Sequence, residues 1–99
     1  MERSKVYQLF DGERDYQEIK WEGKDDSKTS VSEWLNYIEY QLHIAKKKIY
    51  HLDKIGALEE VRKIGALATV CLEYNDCPAR KIESNPEMFM NDVNGDDNE

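Results

Sequence analysis

Residues 30–50 read SVSEWLNYIEYQLHIAKKKIY, and no other stretch constrains the fold so tightly. Val31, Trp34, Leu35, Ile38, Leu42, Ala45 and Ile49 recur at steps of three and four, an unbroken apolar stripe of about 20 residues that only an α-helix can produce. Ser30 with Glu33 three positions on has the spacing of a capping box, in which the hydroxyl takes an orphan amide and the carboxylate reaches back. Lys46, Lys47 and Lys48 fall in the last turns, where cations suit the negative end of the helix dipole.

The pentapeptide KIGAL occurs twice, at 54–58 and 63–67. A shift of nine residues at about 100° each places the second copy half a turn from the first, so the two cannot fill equivalent pockets. The first copy reads as a helix entry with Asp53 as its cap. The second lies mid-helix, where Gly65 costs on the order of 1 kcal/mol against alanine and marks a close approach by another element. A helix over 57–75 follows, with Leu58, Val61, Ile64, Leu67, Val70, Cys71 and Leu72 covering most of its circumference. Arg62, Ala66, Thr69 and Glu73 are left as a mild outer row. A helix apolar nearly all round is central in its bundle. Before these two, residues 3–21 read as a helix with Val6, Leu9, Phe10, Tyr16 and Ile19 inward and a bend or a restart at Asp11-Gly12. Residues 22–29 read as a loop.

The expected fold is therefore all-α: a bundle of two long antiparallel helices, 30–50 and 57–75, with an N-terminal helix, completed by oligomerisation because 99 residues build a modest core. The helical domain takes residues 1–82. Residues 83–99 are an acidic tail, expected to be disordered except for a short turn at 86–91 carrying Met88, Phe89 and Met90. Of the 21 acids, six fall at or after Glu83 with no lysine or arginine among them. Residues 1–82 thus hold 15 acids against 14 bases, a net charge of −1 out of the chain's −7. That balance argues against binding a nucleic-acid backbone. A mean hydropathy of −0.85, no apolar run of membrane-spanning length and no apolar signal segment at MERSKVYQLF give the expectation of a cytoplasmic protein. Cys71, in an apolar run, reads as core and Cys77 as loop; their spacing is neither a metal knuckle nor a redox pair.

No Gly-flanked serine and no Gly-rich phosphate loop are present. The informative groups are carboxylates and rings on helices. Asn36, Glu39 and His43 share one row, where a carboxylate and an imidazole one turn apart suit either a divalent metal or a solvated ion pair. Glu33, Tyr37 and Tyr40 form a second row, suited to stacking on a base or to edge packing. Glu60 shares an otherwise apolar row with Ile64, Leu67 and Cys71, as a rim residue or as a ligand.

The stretches ERDYQEIKW (13–21), SVSEWLNYIEYQLHIAKKKIY (30–50) and ALEEVRKIGALATVCLEYNDCPAR (57–80) resemble small phage-encoded MazG-like proteins, which are similar to the all-α nucleoside triphosphate pyrophosphohydrolases. The resemblance implies a helical dimer or tetramer binding a nucleotide between helices, with Mg²⁺ on clustered carboxylates activating water to cut between the α- and β-phosphates. It implies nucleotide contacts from Arg14, Gln17, Lys20, Trp21, Tyr37 and Lys63, and metal ligands from Glu33, Asn36, Glu39 and Glu60. The signature of such enzymes, ExxE on one helix and ExxD on the next, is not intact: Asn36 follows Glu33, Leu42 follows Glu39, and Lys63 follows Glu60. Two expectations result for the cleft, a weak Mg²⁺-dependent pyrophosphohydrolase or a nucleotide binder without hydrolysis that sequesters its ligand. A third, from the acidic tail, is an interaction protein that inhibits a host defence enzyme by binding it or by mimicking nucleic acid.

Overall fold

The computed structural model describes residues 1–81. It is all-α: α1 (Arg3–Lys20), a single 3-10 turn (Asp26–Lys28), α2 (Val31–Tyr50) and α3 (Lys54–Tyr74), with no strand among the described residues. No helix among them is long and apolar enough to cross a membrane. The tail at 83–99, with the turn expected at 86–91, lies outside the described residues.

α2 begins as its sequence dictates. Ser30 Oγ accepts the Glu33 N–H at 3.1 Å and Glu33 Oε1 accepts the Ser30 N–H at 3.1 Å, closing the capping box. α2 ends at a reversal in which Asp53 N–H donates to the Lys48 carbonyl at 2.8 Å and Leu52 N–H to that of Ile49 at 2.9 Å. This pairing satisfies the last carbonyls and requires a left-handed residue between, here Leu52 at φ 61°. Asp53 then caps α3, its carboxylate accepting the Gly56 N–H at 2.8 Å. The first KIGAL is thus the opening turn of α3, which starts at Lys54 rather than Ala57.

The core is small: Trp34, Leu67 and Val70, with Trp21, Ile38 and Cys71 packed against it. α3 packs on α1 and on α2, whereas α1 and α2 do not pack on each other. α1 reaches α3 at Gly65, where a Cβ would collide with the Phe10 ring. The second KIGAL therefore serves helix contact, through a side chain.

Several sequence expectations give way here. α1 does not restart at Asp11-Gly12 but runs unbroken through it. One interior glycine costs about 1 kcal/mol, and docking along α3 offsets that. Of the five residues expected inward on α1, Val6 and Phe10 are half-buried, while Leu9, Tyr16 and Ile19 are exposed. The buried row is Glu13, Arg14 and Gln17. The cause lies on α3: α2 takes its apolar side, leaving α1 the row Arg62, Ala66, Thr69 and Glu73. In that row Ala66 is fully buried, and Arg62 and Thr69 are half-buried. Arg62 Nε donates to Glu13 Oε1 at 2.8 Å, and Arg14 holds Glu73 through Nε and Nη2 at 3.2 and 3.1 Å. Conversely Val31, Leu35, Leu42 and Ile49 of α2, and Leu58, Val61 and Leu72 of α3, stay exposed. Three of these, Ile49, Leu58 and Val61, border an apolar groove between α2 and α3. The 22–29 loop contains the 3-10 turn, with Asp25 Oδ1 accepting the Ser27 N–H at 3.1 Å.

Candidate functional site

Because α1 and α2 stand apart on α3, a cleft of about 330 Å³ opens between them. Successive turns of α1 contribute Glu13, Tyr16, Gln17 and Lys20, and the chain beyond adds Trp21 and Lys24. The facing wall is Tyr37, Tyr40 and Gln41 of α2, and α3 supplies Leu67 and Lys63. Each helix lines it with residues three or four apart, the spacing of one helical face.

Lys24 is placed by a tight turn: its N–H donates to the Trp21 carbonyl at 3.0 Å, and Gly23 takes φ 90°, which side-chain-bearing residues rarely adopt. The Lys24 ammonium is thereby set over three rings, 4.7 Å from the centroid of Tyr37, 5.4 Å from Trp21 and 5.5 Å from Trp34. It also donates to Tyr37 Oη at 3.4 Å. Trp34 and Tyr37 meet edge to face, centroids 5.8 Å apart. Lys20 sits 6.0 Å over Tyr16. Rings and ammonium groups thus share one opening.

Beside it, Glu60 is only 3% exposed. Its Oε1 accepts from Lys48 at 3.0 Å and from Lys63 at 3.1 Å. Burial pushes its carboxyl upward, but the hydrogen bonds and charge of the two lysines outweigh that and hold it below the usual range. A carboxylate with a depressed folded-state pKa contributes stability that is fully present above its unfolded value, about 4.3, and is lost as the pH falls through the folded value. Glu60→Gln is therefore expected to melt below wild type at pH 7, with the gap closing as the pH falls below the unfolded value of about 4.3. Melting curves across that range check it, and a gap constant with pH would refute it.

Five of the six residues expected to contact a nucleotide, Gln17, Lys20, Trp21, Tyr37 and Lys63, come together in this cleft. Arg14 is not among its lining residues. It is buried, facing Glu73, Glu18 at 3.2 Å and Asp26 at 3.6 Å. Sequence reasoning did not bring forward Lys24, Gln41 or Glu13. The signal for Lys24 was Trp21-Glu22-Gly23-Lys24, a glycine turn that folds the lysine back over the tryptophan. Gln41 stands one turn beyond Tyr37 on the same face.

The four residues expected to bind metal are not gathered. Glu33 is engaged in the capping box, where hydrogen bonds from Ser30 hold its carboxyl below the usual range. Asn36 and Glu39 are exposed on α2 and do not line the cleft. Glu60 is held by two ammonium groups, which repel a dication. Among the described residues, no group of three or more His, Cys, Asp or Glu side chains is placed to hold a metal ion. This donor set does not fit Mg²⁺, a hard cation that needs oxygen ligands in near-octahedral array. Comparison of the chain with protein-family models, curated proteins and solved structures returned no match.

Proposed function

We propose that this chain binds a nucleotide in the cleft between α1 and α2 and retains it without cutting it. In this reading it is a MazG-like protein that keeps the pocket without the metal chemistry. The observation that carries the reading is the meeting of Trp21 and Tyr37 with Lys20, Lys24 and Lys63 in one opening. Base stacking on an aromatic side chain is worth about 1–3 kcal/mol, and lysine–phosphate hydrogen bonds are charge-assisted. On binding, the base takes the ring faces that Lys24 covers, and the displaced ammonium turns to the phosphates alongside Lys20 and Lys63. The two lysines on Glu60 favour retention over hydrolysis, because they supply cations where an enzyme would place metal. A phage protein of this kind withholds a host signal nucleotide from its receptor. A second copy closing over the apolar groove of α2 and α3 belongs to the same reading, and a strictly monomeric mass by light scattering would remove that part.

Both tryptophans of the chain, Trp21 and Trp34, lie against Lys24, so their fluorescence reports the site. Titration with nucleoside mono- and triphosphates and cyclic nucleotides, with and without Mg²⁺, is expected to change the emission and raise the melting temperature. The response should be equal in both conditions, with no pyrophosphate released. Lys20→Glu with Lys63→Glu should weaken binding by at least about tenfold, as loss of two charge-assisted contacts requires. No response to any nucleotide would discard the proposal, and Mg²⁺-dependent turnover would replace retention with catalysis.

A further inference from the structure

Resting on the nucleotide reading of the cleft, we infer that Gln17 and Gln41 select a base bearing an exocyclic amino group. Gln17 is 4% exposed, and its Oε1 is buried with no hydrogen-bond partner. Gln41 Oε1 is buried and unpartnered as well. Both residues line the same cleft, Gln17 from α1 and Gln41 from α2, so the two unpartnered acceptors belong to its opposite walls. Buried acceptors without donors are rare because their lost hydration is not replaced. No described side chain donates to either oxygen: Lys24 is turned to the rings and Tyr37 Oη, Lys63 to Glu60 and Lys20 to the Tyr16 ring, while Trp34 Nε1 is itself without a partner. The missing donors are therefore supplied by what enters the cleft.

Adenine, cytosine and guanine carry an amino group whose N–H bonds suit such acceptors. Uracil and hypoxanthine place a carbonyl oxygen where cytosine and adenine carry that amino group, setting acceptor against acceptor. The lysines grip phosphate equally in every case, so the base edge alone decides between members of a pair. A site with buried polar groups rejects the ligand that leaves them unpaired.

The test uses the full chain and two matched pairs, CTP with UTP and ATP with ITP, titrated by calorimetry with inorganic tripolyphosphate as a base-free probe. The amino member of each pair is expected to bind at least about tenfold tighter, the discrimination one good polar contact gives. Gln17→Met, checked for an unchanged circular dichroism spectrum, should bring the ratio within about threefold while leaving tripolyphosphate affinity unchanged. Gln17→Glu, which retains an acceptor, should keep the amino preference. Equal affinities within each pair, or tighter keto members, would overturn the inference and leave the nucleotide reading intact. Binding of no nucleotide at all would overturn both.

Discussion

Trp34→Ala is expected to remove about 3–5 kcal/mol of stability, the range for deleting a fully buried tryptophan. Trp34 has no exposed surface and anchors the cluster it forms with Leu67 and Val70. A domain of this size has a total stability near the lower end of about 5–15 kcal/mol, so the variant should be largely or wholly unfolded at 37 °C. Urea denaturation followed by circular dichroism reads the loss. Trp34→Phe separates two contributions. Trp34 Nε1 is buried with no partner, and phenylalanine removes that unsatisfied donor together with part of the ring. The smaller variant should therefore lose less stability than its volume change alone requires, while still offering Lys24 a ring face. An alanine variant melting within a few degrees of wild type would show that the core lies elsewhere.

The legibility of this chain follows from which contacts are apolar. α2 was readable because its cap, stripe and terminal lysines are all local signals, and its limits match them. The Asp53 cap of α3 was readable for the same reason, although the helix starts three residues before Ala57. The burial of α1 was not readable. Ion pairs from Glu13 and Arg14 dock it on α3, and charged residues leave no hydrophobic period to follow. Within the cleft, Gln17, Lys20, Trp21 and Lys63 were named only through a family resemblance, and Tyr37 through that and its helical row. Lys24 was not, because its position depends on the backbone of the Gly23 turn. Arg14 shows the limit of helical geometry. It stands about 60° from Gln17 on the same helix, and only the position of α3 decides which of the two faces the cleft.

That division of roles makes Arg14→Leu the second large effect. Its guanidinium holds Glu73 with two hydrogen bonds and has Glu18 and Asp26 within ion-pair reach. Burial alone would lower its pKa, but Glu73, Glu18 and Asp26 together raise it, so the group is firmly charged. Leucine would leave three carboxylates facing one another, Asp26 with its side chain only 13% exposed. Removing one partner of a buried pair costs about 3–5 kcal/mol, and the partial exposure of Glu18 and Glu73 places the expected loss at or slightly below the lower end. On the proposed reading, nucleotide affinity should fall with stability, because Arg14 fastens the helix that forms one wall of the cleft. The double variant Arg14→Leu with Glu73→Leu separates positioning from contact. It removes both charges of the main pair, and a coupling of about 0.5–3 kcal/mol should return part of the lost stability. If Arg14 acts by docking α1, nucleotide binding recovers along with the fold. Stability regained without binding would instead place the Arg14 guanidinium on the ligand itself.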